Sequence, residues 1–203
     1  VQSWEMLAAT ELSATHQQLE QSEDGVIFAS GDNPDNDTYV IVTEPTLKTI
    51  TGLRLDALRH NSHTDRGFAR SNSGNFVLTE VEVTLINNDE TKEILIASAQ
   101  ATYEQGQLKI ENTFDGKSGS GWAVLGSKPI HEVDHAAVFQ FKNPVELTLG
   151  SKLEITLRHD SVHKSHNLGR FTISMTDDAT PSLESSDPLS LARALTTPVT
   201  GRS

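Results

Sequence analysis

Tyr39-Val-Ile-Val-Thr-Glu-Pro45 leads to Leu53-Arg-Leu-Asp-Ala-Leu58 and then to Gly74-Asn-Phe-Val-Leu-Thr-Glu-Val-Glu-Val83. The same order returns later in the chain. Ala137-Val-Phe-Gln-Phe-Lys-Asn-Pro144 leads to Leu153-Glu-Ile-Thr-Leu157 and then to Leu168-Gly-Arg-Phe-Thr-Ile-Ser-Met175, which lays Pro45 over Pro144, Leu53 over Leu153 and Phe76 over Phe171. Internal similarity fixes architecture before any motif does, and two copies are too few for a solenoid. The echo therefore predicts two half-sandwiches packed face to face, with quasi-repeats at about 13–86 and 98–178 inside a single β-sandwich domain over 1–180.

Local patterning supports strands. Apolar and polar residues alternate at Tyr39 to Val42, Leu53 to Leu58, Phe76 to Leu85 and Leu153 to Leu157, the period of two that a half-buried strand requires. Turn formers separate them: Ser30 to Asp37, Ser71 to Asn75, Asn87 to Asp89 and Asp115 to Gly121 are rich in the Gly, Asn and Asp that tolerate positive φ or cap their own backbone. Met6 to Gln21 has helix-forming composition, yet Asp24-Gly25 is a hairpin signal and Val26 to Ala29 needs a partner, so Thr15 to Glu20 is expected to pair with it. Past Asp178 the chain turns to Ser, Pro and acidic residues. Residues 181–203 are expected to be a linker with a short helix at 187–195, Asp187 as N-cap and Pro188 at the first helical position.

Composition narrows the partners. The 203 residues are 35% hydrophobic, enough for a core, and no apolar run is long enough to cross a bilayer as a helix. A formal charge of -12, with 16 scattered Lys and Arg, argues against nucleic acid, anionic membranes and strongly anionic polysaccharides. Without cysteine there is no disulfide, thiol chemistry, cysteine-ligated zinc or covalent c-type haem in this segment, and the redox compartment stays open. Val1 opens the chain without an initiator Met or a signal peptide, as a processed protein or an excised segment would.

Several motifs could carry chemistry. His131-Glu-Val-Asp-His135 matches the zinc-protease pattern, but that pattern needs a helix of several turns. Here Pro129 precedes it and the strand-like Ala136 to Phe141 follows at once, which favours coincidence. His159, His163 and His166 offer three imidazoles for zinc or copper, against the plainer reading of a hydrophilic loop with a counterpart at His60 and His63. No activated nucleophile or distinct carboxylate pair stands out, so no enzymatic activity is expected.

Asn112-Thr-Phe-Asp-Gly-Lys-Ser-Gly-Ser-Gly-Trp122 is a Gly-rich turn around Asp115 with a hydroxyl at Ser120 and a Trp two residues on. It resembles the calcium loop of galactose-binding-like jelly-roll sandwiches, found in discoidin domains and many carbohydrate-binding modules. Calcium takes six to eight oxygens, some from backbone carbonyls, which a loop of Gly, Ser and Asp can supply. The resemblance implies a structural calcium held by Asp115, Ser120, Asn112 and Lys117, with Glu80 completing the shell. In this chain the Glu precedes the Asp loop, whereas in the common arrangement it follows. The plainer reading is a turn that anchors Trp122 in the core.

Arg70-Ser-Asn-Ser-Gly-Asn-Phe-Val-Leu-Thr-Glu80, with Ser30-Gly31, Asp37-Thr-Tyr39, Ile50 to Leu58, Asp115-Gly116, Gly121-Trp-Ala123, His135 to Phe139 and Gly169 to Ser174, is similar over most of residues 4–178 to a segment of the large planctomycete-type cytochrome-like proteins. Those are secreted multidomain chains with a c-type haem module ahead of two uncharacterised domains. The resemblance implies an exported location, a position between those flanking domains and a sandwich like a glycan-binding module. It supplies no established activity.

Two functions follow as expectations. The first is a non-catalytic carbohydrate-binding module that tethers a larger exported protein to polysaccharide, using aromatic faces and fixed polar groups. Its candidate contacts are Arg70, Asn72, Asn75, Trp122 and Tyr39, with Arg54 and Arg170 as further polar groups and Trp4, Phe68 and Tyr103 as the other aromatics outside the expected core. At 5% aromatic content the platform is sparse, which suits weak binding or capture of a chain end by polar contacts. The second is a structural spacer with no ligand of its own. A zinc hydrolase built on His131, Glu132 and His135 ranks well below both.

Overall fold

In the computed structural model, which describes residues 2–88, 90–127 and 130–183, the period-two segments become strands of an all-β sandwich. The strands are β1 (Glu5–Met6), β2 (Ala9–Ala14), β3 (Gln18–Gln21), β4 (Ile27–Ser30), β5 (Asp37–Thr43), β6 (Thr49–Ala57), β7 (Glu80–Asn87), β8 (Glu90–Glu93), β9 (Ile96–Ala101), β10 (His135–Glu146), β11 (Lys152–His159) and β12 (Arg170–Thr176). One sheet runs β3-β4-β12-β6-β10-β9, with β1 also paired to β12; the other runs β2-β5-β11-β7-β8. The helix expected at 187–195 lies outside the described residues.

The Asp24-Gly25 signal produces its hairpin. Gly25 takes φ +82°, open to a residue without Cβ, and β3 pairs with β4 from Gln18 opposite Ser30 to Gln21 opposite Ile27. Helix propensity over Met6 to Gln21 loses because an apolar strand needs a paired neighbour more than a local helix repays.

The echo between the halves survives in a different form. β5, β6 and β7 alternate between the five-stranded sheet, the seven-stranded sheet and the five-stranded sheet; β10, β11 and β12 alternate in the opposite sense. Each copy gives its middle strand away: β6 runs between β10 and β12, and β11 runs between β5 and β7. The copies are thus not two sheets laid face to face, because each sheet is built from both. The ladders also correct two of the three matched pairs. With Leu53 laid over Leu153, Phe171 opposite Ala57 corresponds to Val81 opposite Leu157, so Phe76 is not its counterpart. Pro144 sits in a wide bulge, where Phe141 to Pro144 of β10 pass Thr51 of β6 between the Gln140–Gly52 and Val145–Ile50 pairs. A residue without an N–H is tolerated in a strand only at such an interruption or an edge, and Pro45 lies beyond the end of β5.

One apolar cluster fills the space between the sheets. Tyr39 and Ile41, Leu53 and Leu55, Val81 and Val83, Ala137 and Phe139, Leu153, Ile155 and Leu157, and Phe171, Ile173 and Met175 all belong to it and are buried. On the outer face of the seven-stranded sheet, Arg54 is clamped to Asp56, with Nε at 3.0 Å from both carboxylate oxygens and Nη2 at 2.7 Å from one. The chain after β12 returns over this face. A Cβ on Gly52 would lie 2.8 Å from the Pro181 ring, and Ser182 N–H donates to Gln2 Oε1 at 3.3 Å.

Candidate functional site

Three loops meet at one end of the sandwich: 31–36 after β4, 58–79 after β6 and 160–169 after β11. Their polar side chains are spent largely on one another. Arg70 donates through Nη1 to Gly31 O at 2.6 Å and through Nη2 to Asp32 O at 2.8 Å and to Gln17 Oε1. Asn36 Nδ2 donates to His159 O and Ser161 O, and Asn167 Nδ2 to Pro34 O. Tyr39 is fully buried; its hydroxyl donates to Leu168 O at 2.9 Å and accepts from Gln17 Nε2 at 2.8 Å, and burial pushes the phenol well above its ordinary range. Tyr39 is therefore a core clamp and offers no ring face to a sugar. Arg70 is an inter-loop tie, and Asn72 lies exposed on the same loop.

Trp122 is likewise in the core. It exchanges both backbone hydrogen bonds with Leu78 in an isolated bridge, its Nε1–H donates to Tyr103 O at 2.9 Å, and Phe76 meets its ring edge-on at 5.1 Å. Gly121 permits that approach, since a Cβ there would lie 2.5 Å from Leu78 O. As a binding platform Trp122 is sealed at 0% exposure, and it serves as the anchor of its turn.

That turn closes on its own hydrogen bonds. Lys117 N–H is shared by Asp115 Oδ1 at 2.9 Å and Glu80 Oε1 at 3.0 Å, Ser120 Oγ–H donates to Asp115 Oδ2 at 3.2 Å, and Lys117 Nζ stands 3.8 Å from that oxygen. Asn112 turns its N–H₂ toward Gln107 O and Gly121 O. The expected residues do converge, with Glu80 and Asp115 on one N–H, and burial followed by the Asp115 charge pushes the Glu80 carboxyl up. They converge on a turn that closes on its own hydrogen bonds. No group of three His, Asp or Glu side chains suited to a metal occurs among the described residues.

The two histidine motifs part company with their metal readings for a local reason. His131 lies on a 3₁₀ turn, Ile130–Glu132, and donates Nδ1–H to Gly126 O at 2.8 Å; His135 begins β10, buried, with Nδ1 3.0 Å from Thr102 Oγ1. Ligands four apart share a face on a helix, whereas here a turn and a strand aim them apart. In the second cluster His159 is buried with Nδ1 at 3.2 Å from Asp37 O, while His166 Nδ1–H donates to Lys164 O at 2.9 Å.

The 58–79 loop walls an open polar cleft, as the Asp115 turn does beside Glu80, Glu82, Glu93 and Arg158. His60 N–H donates to Gly67 O, Phe68 and Ala69 N–H both donate to Gly74 O, and Ser71 Oγ–H donates to Asn75 O. Gly67 and Gly74 pack backbone on backbone, where a Cβ on Gly67 would lie 2.5 Å from Gly74 O. This winding forces Asp65 and Arg66 into the left-handed region at φ 51° and 55°, conformations that cost non-glycine residues energy and that cluster at functional sites. Against the loop lie residues 125–127 and 130–132, tied by Arg59 Nη1 to Glu132 O and by Asn75, whose Nδ2 donates to Gln105 Oε1 while its Oδ1 accepts Val124 N–H.

Between them is a cleft of about 410 Å³ lined by Arg59, Asp65, Arg66, Phe68, Ser73, Asn75, Leu125, His131 and Glu132. Guanidinium donors, carboxylate acceptors and an imidazole share this lining with Phe68 and Leu125, a set suited to holding a hydroxyl-rich ligand. Of the residues expected to contact a glycan, Asn75 and Phe68 line it, and His131 and Glu132 of the zinc-protease pattern lie in its wall. Arg59, Asp65 and Arg66 were passed over, and the usable signal was the pair Gly67 and Gly74 bracketing a short polar loop. No family model, curated protein or solved structure matches the chain.

Proposed function

We propose that this domain is a non-catalytic carbohydrate-binding module that tethers a larger exported protein to polysaccharide, and that it grips a neutral chain end in the cleft between the 58–79 loop and Leu125, Gly126, His131 and Glu132. The observation that supports this reading is the cleft itself. Its volume falls in the range of small-ligand pockets, and it presents donors and acceptors together, as sugar hydroxyls require. Arg66 and Asp65 stand exposed at its rim, while Asn75 is buried and locked by two hydrogen bonds. With Tyr39 and Trp122 in the core, affinity would come from polar contacts, in the millimolar class.

A second reading, a spacer that packs against flanking domains, is favoured by one specific observation: Arg70, Asn75 and Asn167 tie loop to loop. Affinity electrophoresis across a panel of neutral polysaccharides separates the two. The module is retarded on at least one, and Arg66→Ala abolishes the retardation; free migration across the whole panel leaves the spacer.

A further inference from the structure

His63 sits where the cleft-forming loop meets the sandwich. It is buried, its Nδ1–H donates to Gly67 O at 3.1 Å, and its ring stacks on Phe28 at 5.7 Å with an interplanar angle of 10°. The space it fills is kept by Gly169, where a Cβ would lie 2.5 Å from the imidazole. Gly67, the residue it holds, is the one packed on Gly74, and Gly74 O in turn receives Phe68 and Ala69. One imidazole thus pins the turn that carries Asp65 and Arg66.

The other ring nitrogen has no place for a proton. Nε2 is sealed from solvent and has no hydrogen-bond partner. The charges acting on it are those of His60, whose ring lies 5.4 Å away, and of Arg70 and Arg170, so a proton on Nε2 meets cations and no acceptor. Burial, outweighing the Gly67 hydrogen bond, holds this imidazole below the ordinary histidine range.

We propose that His63 is a proton-operated latch: neutral, it holds the 60–75 loop closed against Gly169 and so keeps Asp65 and Arg66 in the wall of the cleft; protonated, it leaves its seat and the loop opens. Opening releases the two left-handed residues, Asp65 and Arg66, that the closed loop holds. The consequence for a bound glycan rests on the carbohydrate reading, but the latch does not.

Amide hydrogen exchange, expressed as protection relative to intrinsic rates, tests it without any ligand. Between pH 6.5 and 5 the amides of His60, Gly67, Phe68 and Ala69 should lose protection by about tenfold per pH unit until the held imidazole itself titrates, while remaining less protected than those of β6 and β11, which open only with the whole fold. In His63→Gln, which keeps a neutral donor, loop protection should not respond to pH, and His60→Asn should behave as the wild type. Loop protection that is flat with pH in the wild type, or that falls equally in His63→Gln, overturns the latch. If His63→Gln fails to fold, the imidazole of the wild type is titrated by NMR instead; a change in its resonances that does not track the loop amides overturns the latch equally.

Discussion

Leu53 and Leu153 occupy one position twice, once in each sheet. Leu53 in β6 lies between Phe139 of β10 and Met175 of β12, and Leu153 in β11 lies between Thr43 of β5 and Leu85 of β7. Each central strand is thereby held on both sides by the other copy.

That interlock predicts how the chain can be cut. Split at Gly119, in an exposed stretch with no atom near its missing side chain, the piece 2–118 lacks the centre of one sheet and the piece 119–183 the centre of the other. Neither piece alone should give a β-type circular dichroism spectrum or dispersed amide resonances, and mixing should restore both. Independent folding of either piece would contradict the interlock.

Trp122 is a core residue, so its loss should register as stability. Trp122→Ala leaves a cavity against Phe76 and an unpaired Tyr103 carbonyl, at a cost of about 3–5 kcal/mol in urea unfolding. A cost under about 1 kcal/mol, the level of an exposed side chain, would mean the ring is not in the core.

His159 makes the fold acid-sensitive. Burial holds this imidazole down at about 4, with Nε2 sealed and unpartnered, while the unfolded chain titrates near the ordinary value of about 6.5. Between those values the unfolded state binds more protons, so stability rises with pH. Its contribution is full above pH 6.5 and is lost progressively down to pH 4, about 3 kcal/mol in all. In His159→Asn the pH dependence of the urea midpoint over that window should shrink accordingly, leaving the smaller share of His63 and His166, which burial also lowers.

Calcium at the Asp115 turn would have to take Glu80 and Asp115 from the Lys117 N–H they share. Because the turn is satisfied as it stands, saturating calcium should leave the thermal midpoint where it is. A concentration-dependent rise that disappears in Asp115→Asn would show the turn reopening as a cation site.

Strands and faces were readable in the sequence because side-chain alternation is a local property. The Asp24-Gly25 hairpin, the inward run Leu53, Leu55, Ala57 and its counterpart Leu153, Ile155, Leu157 all follow from it. Pairing partners are not local, which is why the interleaving of the copies was invisible and why Phe76 to Thr79 read as strand. Those residues are an extended link whose N–H groups go to His166 O, Trp122 O and Arg158 O, and β7 begins only at Glu80. The candidate site was harder still. An aromatic beside a Gly-rich turn has the same sequence whether it faces sugar or core, and Trp122 faces core. Asp65 and Arg66 carry no mark of the left-handed backbone that places them, since Gly67 and Gly74 impose it from the flanks.

The most direct measurement of glycan capture by the cleft is an amide chemical-shift titration with the oligosaccharide of whichever polysaccharide retards the protein. Saturable shifts should concentrate on Arg66, Ser73, Asn75, Leu125 and His131 and vanish in Arg66→Ala. Shifts confined elsewhere, on the Asp115 turn or around Trp4, or no saturable shift at all, would contradict it.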